Sequence, residues 1–223
     1  MKTFAIALLL LFSTSVFAQK TFDVKSASKY FDIKIKVAKC EDTSCTGKAS
    51  FSFYKKGGTV AYQVINLPDT YVELGDGGKP EVNQTLLYDK QSSVIVGDFD
   101  FDGMDDVAIC NGTHGSYGMP SYNIYLSSRS AGKFVYNAAF SKLGEHLGMF
   151  TVDNDKKTLE TFDKSGCCWH ITERYDVVAR KPRKIFEEVE DATISDETKI
   201  KITTKTLVKG RWKTSVKYEK RES

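Results

Sequence analysis

The sequence predicts an all-β protein, a small antiparallel β domain with one short helix. Three observations predict it. Apolar residues recur with period two along most of the 223 residues, as on half-buried strands. The alternating runs are short and end at turn signals rich in Gly, Asp or Lys. A helical period shows in one stretch, 137–147, where Phe140, Leu143 and Leu147 share a side.

The elements follow in order. Phe31, Ile33, Ile35 and Val37 alternate with Asp and Lys and mark a half-buried strand. Phe51 and Phe53 lead to Lys55-Lys56-Gly57-Gly58, and Val60, Tyr62 and Val64 return, which is a hairpin signal. Residues 86–96 and then 107–110 bracket an acidic loop. Ser121-Tyr122-Asn123-Ile124-Tyr125-Leu126 reads as another strand. Residues 200–207 and 212–218, joined by Lys209-Gly210, form a closing hairpin. No interdomain linker or low-complexity segment stands out, so residues 19–223 read as a single calcium-binding domain.

Residues 1–18 have the form of a secretory signal. Lys2 supplies the charged start, an apolar run extends from Phe4 to Phe12, and Val16-Phe17-Ala18 is a small-residue cleavage site. The run is short for a bilayer span, and no later stretch is more apolar. Export to the periplasm with cleavage after Ala18 is therefore expected. The net charge of +3 falls by one when Lys2 leaves, too little to argue for nucleic acid. The basic C-terminal third alternates Lys and Arg with Thr, Val and Ile, as solvated strand faces do.

The acidic loop carries the most information. In Asp98-Phe99-Asp100-Phe101-Asp102-Gly103-Met104-Asp105-Asp106, carboxylates stand at positions 1, 3, 5 and 9 and glycine at 6. Calcium takes six to eight hard oxygen ligands, which a tight loop with alternating carboxylates can bring round one point. Asp98, Asp100, Asp102 and Asp106, with the Met104 carbonyl, are the expected ligands, and Asp105 breaks the alternation and should point away. An EF-hand would need Glu at position 12, where Ile109 stands, and the flanks are strand-like rather than helical. Nothing basic lies within the loop to offset the carboxylates, whose crowding is costly without a cation.

Five cysteines in an exported chain suggest disulfides. Cys40 and Cys45 are close enough for a local bridge. Cys110 is expected to pair with Cys167 or Cys168, and spacing does not choose between them.

Residues 97–109 resemble the calcium loop of integrin-α-type FG-GAP repeats. A longer order of features follows: Gly115-Ser116-Tyr117-Gly118, Tyr122 to Tyr125, Gly132-Lys133-Phe134-Val135, the Leu143 helix, Val152-Asp153 and Ser165-Gly166-Cys167-Cys168-Trp169. Over roughly 45–178 this resembles a family of small periplasmic β-propeller-like bacterial proteins. That family includes immunity proteins against lysozyme-like effectors of a type IV secretion system. The resemblance implies a propeller-like fold, one calcium ion and inhibition of a peptidoglycan-cleaving enzyme. Four or five blades of 40–45 residues would fit the length, although no internal repeat at that period is evident. The Cys167-Cys168 doublet and the long basic tail depart from the pattern.

An inhibitor of such an enzyme must fill a cleft lined by two carboxylates. The stretch from His114 to Tyr122 has the hydroxyls, glycines and aromatics for that task, and His114, Ser116, Tyr117 and Tyr122 are the expected partner-binding residues. Its closeness in sequence to the acidic loop suggests that the ion holds it in place. No nucleophile elbow, phosphate loop or zinc-protease motif is present, so catalysis is not expected. The expected function is a periplasmic calcium-binding inhibitor of a lysozyme-like enzyme. The alternative is a calcium-stabilised surface-binding module.

Overall fold

The computed structural model describes residues 19–87 and 91–221; the expected secretory signal at 1–18 lies outside them. The chain is all-β. Its strands are β1 (Lys20–Val24), β2 (Phe31–Cys40), β3 (Ser44–Lys55), β4 (Ala61–Leu67), β5 (Tyr71–Glu73), β6 (Val94–Gly97) and β7 (Asp106–Gly112). A 3₁₀ turn at Ser116–Gly118 precedes β8 (Ser121–Ser128), β9 (Lys133–Tyr136) and the helix α1 (Ala138–Leu143). Then come β10 (Thr151–Asp153), β11 (Thr158–Ser165), β12 (Trp169–Val178), β13 (Lys181–Asp191), β14 (Lys199–Val208) and β15 (Arg211–Lys220).

These strands make three antiparallel sheets in chain order. The first runs β1-β2-β3-β4 with β5 also on β3, the second β6-β7-β8-β9, and the third β10 to β15. Each is a meander, because short turns can join antiparallel neighbours directly. Three sheets stand where the length alone would have accommodated four or five blades.

The middle sheet is apolar on both faces. Val107 and Ile109 point into one core with Phe31, Ile33, Phe51 and Phe53 of the first sheet. Ala108 and Cys110, the alternate residues of β7, point into a second core with Tyr122, Ile124, Phe140 and Phe150, closed by Leu159 and Tyr175 of the third sheet. Burial on both sides explains the unbroken apolar run of β7. One side chain, Gln63, knits the first and second sheets at their edges through the Phe134 backbone. Gln63 Nε2 donates to the Phe134 carbonyl at 2.9 Å, and Phe134 N–H donates to Gln63 Oε1 at 2.8 Å.

The returning strand of the first hairpin buries Ile65 and Leu67, while Val60, Tyr62 and Val64 face out. A bulge between Phe53 and Tyr54 leaves Tyr62 unpaired. The helix is shorter than its sequence period. Asn137 caps it by accepting from the Ala139 and Phe140 N–H groups, and Gly144 ends it. Strands β11 and β13 carry a weak period-two signal because few apolar residues stand among their Glu, Asp, Lys and Arg. All ten residues of β15 are exposed.

The cysteine pairing differs in part from expectation. Cys40 and Cys45 are joined, but Cys167 is bonded to its neighbour Cys168, and Cys110 is a free buried thiol. Cys110 lies in the second core and donates its S–H to the Gly112 carbonyl at 3.3 Å. The doublet sits at the β11–β12 turn with Cys167 exposed, whereas Cys110 faces the second core.

Candidate functional site

The acidic loop joins β6 to β7 and is closed by its own carboxylates. Asp98 accepts from the Asp102 N–H at 2.9 Å through Oδ1 and from the Gly103 N–H at 2.8 Å through Oδ2. Asp106 accepts from the Phe99 N–H at 2.9 Å and from the Ser127 N–H at 2.7 Å, which ties the loop to β8. The turn requires left-handed backbone at Phe101 (φ 60°) and Gly103 (φ 86°). Phe99 anchors the loop from below, edge-on to Phe150 with centroids 5.4 Å apart.

Asp98, Asp100 and Asp106 each bring a carboxylate oxygen to within 4.8 Å of the others. Ligands 2.3–2.6 Å from a shared calcium span about that range. Asp100 is the most exacting member. Its side chain is fully buried, and neither oxygen accepts a hydrogen bond. Such a group costs about 1–3 kcal/mol if left unpaired, and more when charged. Burial, helped by the neighbouring Asp102, pushes its acid strength down. Burial also pushes the Asp106 carboxyl up to about 7. These orphaned oxygens and raised carboxyls fit a divalent cation.

Asp102 stands outside the group of three. Its Oδ1 accepts from the Met104 N–H at 3.0 Å, and its Oδ2 lies 3.6 Å from Arg180 Nη1. Asp105 faces away, with Oδ2 accepting from Ser28 Oγ at 2.8 Å. The Met104 thioether receives Arg129 Nε at 3.3 Å.

Sequence reasoning missed Arg180. It sits at the β12–β13 turn, where Ala179 (φ 50°) and Arg180 (φ 59°) are both left-handed. Its Nε stands 2.8 Å from Asp100 Oδ2, an ion pair without hydrogen-bond alignment, and its Nη2 donates to the Ser127 carbonyl at 2.6 Å. A cation absent from the loop is thus supplied from the third sheet. No sequence signal marked it, since the contact is about eighty residues away along the chain.

The expected partner-binding residues divide. Tyr122 is a core residue, wholly buried, with its hydroxyl donating to the Ser92 carbonyl at 2.9 Å. It belongs to the alternating face of β8 that meets the second core, so it is unavailable to a partner. His114 and Tyr117 are exposed, and Ser116 is half-buried. Tyr117 is 64% exposed with left-handed backbone (φ 57°). Its loop is pinned by Ser116 N–H to the His146 carbonyl at 2.9 Å and Gly115 N–H to the Met119 carbonyl at 3.0 Å. Gly115 admits no side chain, since a Cβ would fall 2.6 Å from the His146 carbonyl oxygen. The Tyr117 hydroxyl accepts from the Gly166 N–H at 2.5 Å, and Lys164 Nζ lies 5.2 Å from its ring centroid.

The acidic loop does not hold this second loop. One precedes β7 and the other follows it, so they lie at opposite ends of a seven-residue strand, about 20 Å apart. The Tyr117 loop leans instead on the β11–β12 turn, beside the Cys167–Cys168 disulfide.

No family model matches the chain, and no curated protein matches it. Among solved structures, the chain is similar to one described as a Xanthomonas type IV secretion system related protein. The TM-score is 0.67 at 22% identity, covering 91% of this chain and 96% of that one. At that identity the likeness is one of fold.

Proposed function

We propose that the chain is a periplasmic calcium-binding protein that inhibits a peptidoglycan-cleaving, lysozyme-like enzyme, as an immunity protein does. The observation that carries this reading is Tyr117, a large aromatic held out in solvent on a loop fixed at several backbone points. Rigid aromatic anchors lose little entropy on docking and commonly dominate interface energies. The Tyr117 hydroxyl already accepts a backbone hydrogen bond, which leaves its own proton to donate. A cleft lined by two carboxylates is an acceptor of that kind. Lys164, over the Tyr117 ring, adds positive charge beside it.

The fold likeness to a type IV secretion system related protein supports the same reading. So do two disulfides, which suit an oxidising compartment. Among the described residues no helix is long and apolar enough to cross a membrane. Calcium has a structural part here: held by Asp98, Asp100 and Asp106, with Asp102 and the Met104 carbonyl within the same loop, it would offset carboxylate repulsion. Chain chemistry at this loop is binding alone, and no catalytic role is proposed.

The test is muramidase activity on purified cell walls, with the protein in excess, against a panel of lysozymes and lysozyme-like enzymes. Inhibition that is lost in a Ser116→Ala, Tyr117→Ala variant is the expected result. If no enzyme slows, the inhibitor reading fails and the surface-binding module takes its place.

A further inference from the structure

The joint between the first and second sheets is open on one side as a cleft of about 360 Å³. It lies beside Met104 and the turn from β8 to β9, at the acidic-loop end of β7 and away from Tyr117. Its floor is aromatic. Phe31 and Phe134 are both nearly buried and meet edge-on with centroids 5.4 Å apart. Tyr30 and Tyr62 form walls and remain 58% and 40% exposed. The floor is rigid, because Gln63 locks β4 to β9 by the two hydrogen bonds with Phe134.

The rim is cationic. Lys55, Arg129 and Lys133 line the larger lobe, and no acidic residue does. Neither Lys55 nor Lys133 forms an ion pair with a described residue. The adjoining lobe reaches Asp105, whose carboxylate is turned to Ser28. Ser127 and Ser128 on one wall add hydroxyl groups.

We propose that this cleft binds an acidic saccharide, a sugar whose ring carries a carboxylate. The apolar face of a sugar ring stacks on exposed tyrosine rings, its hydroxyls match the serine hydroxyls, and its carboxylate meets the exposed lysines. The volume lies within the range of small-molecule sites. A neutral sugar would leave the lysine rim unused, and an apolar ligand would leave the serine wall unsatisfied.

Two sources share that chemistry: a cell-wall glycan with a lactyl carboxylate, and a uronate. The full mature chain is titrated calorimetrically with a muramic-acid-containing disaccharide, a uronic-acid disaccharide and a neutral N-acetylglucosamine disaccharide. Binding of either acidic probe, at least about tenfold tighter than the neutral one, is expected, and which acidic probe binds identifies the source. Lys55→Ala with Lys133→Ala should weaken that binding by about tenfold at an unchanged melting temperature, since both side chains are exposed. The proposal is overturned if neither acidic probe binds at millimolar concentration, if the neutral sugar binds equally, or if the folded double variant binds as the parent does. The inhibition assay above reads the other end of β7, so either result stands without the other.

Discussion

Arg180 Nε lies 2.8 Å from Asp100 Oδ2, an ion pair that joins a turn of the third sheet to the acidic loop of the second. The carboxylate is buried and the guanidinium is 43% exposed, so solvent screens one partner and not the other. Arg180 is therefore a built-in counter-charge, reaching a carboxylate that the proposed calcium ion would also need.

Removing that counter-charge should help the ion. Arg180→Ala is expected to tighten calcium binding by about threefold to tenfold, the worth of a partly exposed charge interaction of about 0.6–1.4 kcal/mol. The same variant should melt earlier than the parent in chelator. Calorimetric titration and paired melting curves measure both. An affinity that stays the same would mean that Arg180 already stands clear when the ion is bound.

Asp100 is buried with both carboxylate oxygens outside any hydrogen bond, although Arg180 stands beside one of them. Chelation should lower the melting temperature of the parent, because a calcium ion at this loop would bind the folded chain alone. Asp100→Asn should abolish that response. In chelator, however, the variant should be more stable than the parent by about 1–3 kcal/mol, since a buried charge with unsatisfied oxygens has gone. A metal-free variant that is less stable than the parent would overturn this account.

The pH dependence has a definite sign. Burial pushes the Asp106 carboxyl up to about 7 in the folded chain, against 3.8 ordinarily. Between those values the folded chain holds a proton that the unfolded chain has released. The penalty is absent below the lower value and complete above the higher one, at about 1.4 kcal/mol for each unit. Metal-free protein should therefore lose stability as pH rises from about 4 to 7. Protons compete with calcium over the same window, so affinity for the ion should rise with pH. Denaturant melts across that range, with and without calcium, test both statements.

Tyr117 and the ion should be separable. Tyr117→Ala is expected to weaken inhibition of a sensitive muramidase by about 2 kcal/mol, roughly thirtyfold, with little change in melting. Chelator, at a temperature where the chain stays folded, should leave inhibition nearly intact, because the loops occupy opposite ends of β7. Inhibition that collapses in chelator without unfolding would show a coupling that these contacts do not provide.

Thiol chemistry checks the cysteines. Native protein should show no reactive thiol, and denatured, unreduced protein should show one per chain, at Cys110. Peptide mapping should recover Cys40 linked to Cys45 and Cys167 linked to Cys168. A Cys110 linkage to either residue of the doublet is the contrary result.

Much of this protein was determined locally and could be read from the sequence. Period-two burial at Phe31, Ile33, Ile35 and Val37, the capped helix after Asn137 and the left-handed Gly103 follow from backbone geometry over a few residues. So does the acidic loop, whose carboxylates bond to amides within nine residues. Tertiary structure decided the rest. It buried Tyr122 and Cys110, because β7 and β8 lie in a sheet covered on both faces. It brought Arg180 to Asp100, and it put the acidic loop and Tyr117 at opposite ends of one strand. An extended strand separates its two ends in space in proportion to its length, however close they look along the chain. Charged partners distant in sequence meet when sheets stack, and no local pattern records which ones will.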